Sequence, residues 1–474
     1  MLHRSLLAVT VIAALSLSSR ASADESANMA ALTERLRLLE QRLGIDSTPP
    51  APGAGLAELD QRLAIIERKL DIASEEAAAK ALATPAVSIG EKGLAVKTPA
   101  GDFDLKLRGT VQFDQRSFFD DDQQSFNDTH LFRRVRPSLE GTLGPLLAYR
   151  ITPEFAGDGA TLIDAYVDVR FDPRYTLRVG KLKGPVGLER LQAASALSMV
   201  ERGFPTELAP NRDIGAQLQG ELRAGTVNYA IGLFNGAPDG RDSPTVDADN
   251  HFEWAGRLFF EPWKNDANAL SGLGFGVSAS VGDKEGGGNN FLPRYRTPGQ
   301  NQFFGYRSTV LADGDHTRLS PQAYYYRTRF GLLAEYIRSE QALLIGTNEA
   351  TRTELEQDAW QLTASWVLTG EHASYRGIAK PDQSYVIGGE GWGAFEVVGR
   401  YGELDVDDDA FPLYASADTA ATHASAWGLG LNWYLTPNLK LVFNHTNASF
   451  DGGAAGGRDR EGEKTVFSRV QVAF

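Results

Sequence analysis

Residues 103–114 read FDLKLRGTVQFD, and this stretch decides the fold because its side chains alternate in character. The odd-numbered positions hold Phe, Leu, Leu, Val and Phe with one Gly, and the even-numbered positions hold Asp, Lys, Arg, Thr, Gln and Asp. A period of two indicates a β-strand with one apolar face and one face that suits water. The same alternation returns in residues 163–171, 214–222 and 360–366.

Alternating segments occupy residues 103–474, separated by short turns and by long loops such as GDKEGGGNN at 282–290. At about 10 residues per strand, this length predicts an all-β fold, a transmembrane antiparallel β-barrel of roughly 16 strands. Aromatic pairs near strand ends, such as residues 259–260, are typical of membrane interfaces. The chain also ends on an alternating stretch with a terminal aromatic residue, VFSRVQVAF at 466–474. A soluble β-sandwich would show the same alternation and is the alternative fold.

The composition narrows the possible functions. The 474 residues include no cysteine, which excludes disulfides, cysteine-ligated metals and a thiol nucleophile. The formal net charge of −14 argues against a nucleic-acid partner, because no strongly basic surface is expected. We find no P-loop, no H-E-x-x-H and no closely spaced histidines, so the sequence predicts neither a cofactor nor a metal. No apolar run past residue 23 is long enough for a transmembrane helix, whereas barrel strands average out as polar.

The N-terminal segment differs from the body. Arg4, the apolar run at 6–17 and the Ala-Ser-Ala at 21–23 predict a signal peptide over 1–23, cleaved after Ala23. Residues 24–75 contain LRLLEQRLGI and LAIIERKLDI, whose leucines repeat at alternating spacings of three and four, as in a coiled coil. A partly helical, solvated segment is the alternative. Residues 76–101 are small and polar and are predicted to form a linker to a barrel over 102–474.

Two segments carry clustered positive charge. The first, LFRRVRPSLE at 131–140, places three arginines within four residues, and the second, at 180–213, lacks alternation and is long for a surface loop. The small apolar residues of the second segment would pack well inside the barrel wall, where the loop would narrow the pore. The candidate anion-binding residues of the two segments are Arg133, Arg134, Arg136, Lys181, Lys183, Arg190 and Arg202. A cationic rim that contacts lipopolysaccharide is the alternative for the first segment.

Several stretches of the chain, including the two basic segments, resemble a known family. FRRVR at 132–136, RVGKLKGPVGLERL at 178–191, VERGFPTELAP at 200–210 and LGLNWYLTPNLKL at 429–441 resemble the phosphate-selective porin O and P family. The resemblance implies a homotrimer of 16-stranded barrels in the outer membrane. Each barrel would have its own anion-selective pore, in which an arginine ladder leads to basic side chains that hold phosphate.

The resemblance assigns roles to single residues. The paired arginines of the family motif fall on Arg133 and Arg134, a constriction lysine falls on Arg190, and an arginine falls on Arg202. Two tyrosines of the family pattern become Arg136 and Lys183, and the acidic residue beside the pore aligns near Asp164. These replacements add positive charge and remove aromatic hydrogen-bonding groups. Anion preference is therefore expected, while the choice among phosphate species stays open.

The sequence thus predicts an outer-membrane porin, not an enzyme, for diffusion of small anions, with phosphate or short polyphosphates as the expected ions. Its other expected partners are outer-membrane lipid and lipopolysaccharide. Three alternatives remain: a general or differently selective porin, a barrel enzyme with a Ser or Thr near a His, and a tether that engages peptidoglycan through the coiled coil.

Overall fold

The computed structural model describes residues 24–42, 56–119, 126–378 and 380–474. The predicted signal peptide lies outside the described residues. The chain divides into two compact units, residues 1–85 and 86–474. None of the helices in the described ranges is both long enough and apolar enough to span a membrane.

The first unit contains helices α1 (Asp24–Arg42) and α2 (Leu56–Ala83). Ile66 is buried at 4% exposure, and the guanidinium of Arg62 pairs with the carboxylate of Glu40 through a 2.7 Å bond from Nε. The two helices of one chain therefore contact each other through this ion pair. Leu38 and Ile65 remain nearly half exposed.

The structure differs from the predicted linker over residues 76–101. Helix α2 continues to Ala83, and strands β1 (Ala86–Gly90) and β2 (Gly93–Lys97) form a hairpin. Gly93 permits the tight turn because its φ of +85° suits glycine. Among the small and polar residues of this stretch lie the larger apolar residues Val87, Ile89, Leu94 and Val96, which alternate along the two strands and pair across the hairpin.

The second unit is a closed antiparallel barrel of 16 strands, as predicted. Its strands, with the elements between them, are β3 (Phe103–Phe119), β4 (Thr129–Leu143), β5 (Leu147–Glu154), β6 (Thr161–Asp172), β7 (Tyr175–Leu182), short helices α3 (Leu188–Leu191) and α4 (Pro205–Leu208), β8 (Asp213–Leu222), β9 (Val227–Phe234), β10 (Glu253–Phe260), β11 (Leu273–Gly287), a small hairpin of β12 (Arg294–Arg296) and β13 (Gln302–Gly305), β14 (Val310–Arg327), β15 (Phe330–Ile345), β16 (Asn348–Val367), β17 (Ala394–Val406), β18 (Ala421–Tyr434), β19 (Leu439–Ala454), the two-residue β20 (Arg458–Asp459) and β21 (Glu463–Ala473).

The barrel closes where β21 pairs with β3, from Ala473 opposite Thr110 to Lys464 opposite Phe119. Strand β2 pairs with the first part of β3, so the β1–β2 hairpin lies beyond the end of β21. We call the edge where β3 begins and β21 ends the terminal rim, and the opposite edge the loop rim. Connections at the terminal rim are two to four residues long except for residues 261–272 and residues 368–393, the lower loop, whereas the longest one at the loop rim is residues 183–212, the inward loop.

Candidate functional site

A cavity of about 1480 Å³ lies in the barrel interior. In the described part of the chain, its lining includes 12 arginines and two lysines against six carboxylates, although the whole chain is acidic. The strand residues that line it belong to β3 through β10, together with Arg296 of β12 and the end of β21. Local positive charge, and not net charge, determines which ions a cleft attracts.

The inward loop forms the opposite wall of this cavity. Its backbone is tied to β18, β19 and β21: Lys440 Nζ donates to Leu197 O at 2.7 Å, Asn432 Nδ2 to Ser198 O at 2.9 Å, and Arg469 Nη1 to Val200 O at 2.7 Å. These donors point into the barrel, so the loop folds inward as the sequence predicts. Glycines on β18 leave room for it, since a Cβ at Gly428 would lie 2.7 Å from Met199 Cε.

A second set of bonds fixes the turn at α3. The Glu335 carboxylate accepts the backbone N–H groups of Leu188 and Glu189. The Glu189 carboxylate pairs with Arg400 and accepts from Gln361 Nε2 at 2.9 Å. The Glu189 carboxylate thus bonds to residues of the barrel wall, while its neighbour Arg190 lines the cavity.

Four of the predicted cations are held by neutral oxygens. Lys183 Nζ donates to Arg190 O at 2.7 Å and Gln192 O at 3.0 Å. Arg202 donates to Glu189 O at 3.0 Å and Gln192 O at 2.8 Å. Arg190 donates to Asn211 Oδ1 at 3.2 Å and to the carbonyls of Thr206 and Ala209. Arg134 Nη1 donates to Gln112 Oε1 at 2.6 Å.

We call Arg134, Lys183, Arg190 and Arg202 the inner cations. A carbonyl orients a cation without forming an ion pair, and among the described residues none of these four side chains lies within ion-pair distance of a carboxylate. The Nε atoms of Arg134 and Arg190 are buried and have no hydrogen-bond partner within the described ranges. A buried donor of this kind is costly unless a ligand or water satisfies it.

The other predicted cations behave differently. Arg133 pairs with Glu201 at 2.6 Å and Arg136 with Glu154 at 2.5 Å, so both line the cavity with much of their charge compensated. The prediction for Lys181 differs from the structure. Alternation along β7 places Lys181 on the outer face with Val179, because Arg178 and Leu182 face the cavity.

Burial and neighbouring charges shift the pKa of several side chains in the inward loop. Burial, with Arg202 and Arg212 nearby, lowers the pKa of the Lys183 ammonium well below its usual value. Burial and Arg190 lower the pKa of Arg202 to about 9. Burial alone would raise the pKa of Glu201, but Arg133 and Arg116 hold it well below its usual range.

Several cavity cations were missed from the sequence. Arg108, Arg150 and Arg178 face inward on β3, β5 and β7, and Arg212 pairs with Asp164 at 3.1 Å. Arg178 also lies over the ring of Tyr166 at 4.0 Å. Strand alternation contained the signal for the first three, because each occupies the polar face of its strand.

One cluster bears on the enzyme alternative. His316 Nε2 lies 3.0 Å from Ser339 Oγ, and Ser339 donates to Asp239 Oδ2 at 2.7 Å. All three side chains are buried to 1% exposure or less, and Arg318 pairs with Asp239. A hydroxyl that donates to the carboxylate and lies away from solvent lacks the arrangement of a nucleophile activated by histidine. The cluster instead ties the β9–β10 loop to the barrel wall.

Comparisons with known proteins agree on the barrel. Residues 103–474 match the family model described as phosphate-selective porin O and P. Porin O of Pseudomonas aeruginosa is 25% identical over 425 residues, which cover 81% of this chain and 91% of that protein. The outer-membrane channel DcaP of Acinetobacter baumannii superimposes with a TM-score of 0.51 at 12% identity, covering 80% of this chain and 99% of that one.

Porins are channels, and their barrels lie in the bacterial outer membrane. Barrels of this kind have short turns at the periplasmic edge and long loops outside, so the terminal rim is periplasmic. The chain belongs to the phosphate-selective porin O and P family.

Proposed function

We propose that this porin is a homotrimeric channel through which small anions diffuse, with phosphate or short polyphosphates as the favoured ions. The observation that carries the proposal is that the inner cations are oriented by neutral oxygens. Because these cations have no direct ion pair with a carboxylate in the described part of the chain, their N–H donors are available to a passing anion. The description of the matching family, phosphate-selective porin O and P, supports phosphate as the ion.

The mechanism has no chemical step. An anion entering from the loop rim would exchange part of its hydration shell for N–H donors of Arg134, Arg190 and Arg202. Guanidinium groups meet phosphate oxygens with paired donors, whereas a chloride ion cannot use both. Release would pass through Arg136, Arg150 and Arg178, because conduction requires several adjacent weak sites.

The test is the current through single channels in a planar bilayer. Under a KCl gradient, the reversal potential should lie on the chloride side, and phosphate added at low concentration should block the chloride current. Anion preference with phosphate block supports the proposal. A channel without anion preference would contradict the role of the inner cations.

A second candidate is an anion channel without a phosphate site. The pairing of Arg133 with Glu201 and of Arg136 with Glu154 favours it, because two of the three arginines in the first predicted segment are compensated. Lys183 also donates to loop carbonyls and stands where the family pattern has a tyrosine. This candidate predicts chloride preference in the same experiment with no block by phosphate.

For the N-terminal helices we propose a periplasmic coiled coil that assembles with other copies, since Leu38 and Ile65 stay exposed on the helix pair. Deleting residues 24–81 should leave the conductance unchanged. If the helices also tether the envelope, the same deletion would lower resistance to detergents.

A further inference from the structure

The outer face of β16, β17 and β18 carries two rows of aromatic residues. Trp360 and Trp366 lie on β16, Tyr401 and Phe395 on β17, and Trp427 and Trp433 on β18. Each of these residues alternates with an inward-facing one, and Trp366, Tyr401 and Trp427 are each at least 40% exposed. Aromatic rows of this kind mark the two interfaces of a membrane.

The rows are too close together to bound a bilayer. Six residues separate the two members on every strand, which at about 3.3 Å per residue and a tilt of about 40° gives roughly 15 Å of height. The apolar band of an outer-membrane barrel is about 25 Å tall. About 10 Å of membrane-facing surface must therefore lie beyond one of the rows.

Charge excludes the loop-rim side. Next to Trp360 and Tyr401, the outer face continues with Asp358, Glu403 and Asp405. Burying these carboxylates in hydrocarbon would be costly. The missing surface must therefore lie at the periplasmic rim, below Trp366, Phe395 and Trp433.

The β1–β2 hairpin supplies apolar surface at that rim. In one row across β1, β2 and β3, Val87 lies opposite Val96, and Val96 lies opposite Leu105. In the next row, Ile89 lies opposite Leu94, and Leu94 lies opposite Leu107. Leu105 and Leu107 face outward, because Arg108 on the other face lines the cavity. Val87 and Ile89 therefore share the membrane side of the sheet, and they are 65% and 83% exposed.

The lower loop supplies the second piece. Its residues 383–393 fold back on themselves, with Gly393 N donating to Gln383 O at 2.9 Å. Trp433 Nε1 donates to Trp392 O at 2.7 Å, and the rings of Tyr385 and Trp433 lie 5.5 Å apart. This second hairpin is thus attached to Trp433, which faces outward. Its residues Val386 and Ile387 are 56% and 89% exposed.

The two hairpins flank the same turn of the barrel, residues 435–438. Tyr385 N donates to Leu435 O at 2.7 Å, and Asn438 Nδ2 donates to Glu91 O at 2.6 Å. Lys380 and Glu91 form an ion pair at 3.6 Å between them. The apolar tips therefore belong to one continuous periplasmic edge beneath β17 to β21.

We propose that this edge is a lipid-binding surface, in which phospholipid acyl chains of the periplasmic leaflet contact Val87, Ile89, Val386 and Ile387. The hairpins supply the height that the strands lack on this side of the barrel. The surface is continuous with the aromatic row at Trp433, which supports lipid as the occupant. This inference does not depend on which ion the pore carries.

The absence of cysteine makes a direct test possible, since a single introduced cysteine can be labelled without background. Ile89→Cys and Ile387→Cys are labelled with an environment-sensitive fluorophore in the full-length protein, reconstituted in phosphatidylcholine vesicles. Quenching is measured with lipids brominated on their acyl chains and, separately, with aqueous iodide. Leu429→Cys on the outer face of β18 is the membrane control, and Asp266→Cys in the β10–β11 connection at the same rim is the aqueous control.

The expected result is quenching of both hairpin labels by brominated lipid to at least half the extent seen at Leu429→Cys, with little quenching by iodide. Quenching by iodide alone, as at Asp266→Cys, would overturn the proposal. Protection from both quenchers would also overturn it, because a protein, such as a neighbouring subunit, would then cover the surface. Val87→Cys and Val386→Cys repeat the measurement if either first variant fails to fold.

Discussion

The two halves of the barrel interior differ in how they use positive charge. Against β11–β21, the filled half, arginines pair with buried carboxylates and fasten loops to the wall, as Arg469 does with Asp114 and Arg318 with Glu253. Facing β3–β10, the open half, some arginines are also paired with carboxylates, but the inner cations of the cavity bond to carbonyl and amide oxygens instead. The N–H donors of the inner cations therefore remain available to an anion. Whether a basic residue serves structure or transport is therefore set by its acceptor, and not by its type.

The largest effect is expected when two inner cations are removed together. In the double variant Arg190→Ala and Arg202→Ala, the concentration of phosphate that halves the chloride current should rise by about 100-fold. Each charged hydrogen-bond group contributes about 1.5–3 kcal/mol, and 1.4 kcal/mol corresponds to a factor of 10. The matched control is Arg338→Ala on the outer face, where Arg338 pairs with Glu356. An unchanged phosphate block in the double variant would contradict the proposed site.

Breaking an ion pair in the filled half should lower the stability of the barrel. Glu189→Ala leaves Arg400 without its buried carboxylate, and breaking such a pair typically costs about 3–5 kcal/mol. We expect the barrel to unfold at a lower temperature, as measured by its mobility on gels after heating, and the current to become noisier as the inward loop loosens. Glu349→Ala, at the exposed start of β16, is the control. A stable, quiet Glu189→Ala channel would show that the loop does not depend on this pair.

A smaller effect is expected when Arg136 loses the carboxylate that pairs with it. Glu154→Gln keeps an oxygen acceptor for the N–H groups of Val135 and Ala156 but removes the charge that compensates Arg136. The permeability ratio of chloride to potassium, read from the reversal potential, should rise about two- to threefold, since a partly exposed pair contributes about 1 kcal/mol or less. A fall in the ratio would mean that Arg136 needs Glu154 in order to face the path.

The smallest effect concerns pH. Burial and nearby arginines lower the pKa of Lys183, so its ammonium loses its proton at a lower pH than an exposed lysine. Chloride preference should therefore weaken as the pH rises from 7 toward 10, and Lys183→Met should start weaker and show less change at the beginning of that range. Arg202, with a pKa lowered to about 9, would account for the remaining change. Identical profiles for both proteins would exclude Lys183 from the conducting path.

The sequence predicts the barrel well because alternation is a local property that every strand repeats. It also predicts that the basic loop folds inward, since the apolar residues around Met199 need a partner surface. It did not reveal which cations keep their charge, because Glu201 and Glu154 meet Arg133 and Arg136 only in three dimensions. Lys181 was misplaced because alternation was not carried through to the last residues of β7, and the β1–β2 hairpin was missed because its strands are only five residues long.

The bonds that close the barrel also set the order of events in its biogenesis. Gln112 and Gln471, which are 359 residues apart, are joined across the seam, and the backbone groups of Phe474 and Gly109 bond in both directions. The first strand of the wall therefore has no permanent neighbour on that side until β21 is in place. Contacts of such long range form slowly, so we expect closure of this seam to be the last step in the folding of the barrel. An affinity tag fused after Phe474 would sit at this seam, whereas the 455–462 loop at the opposite rim offers a safer place for one.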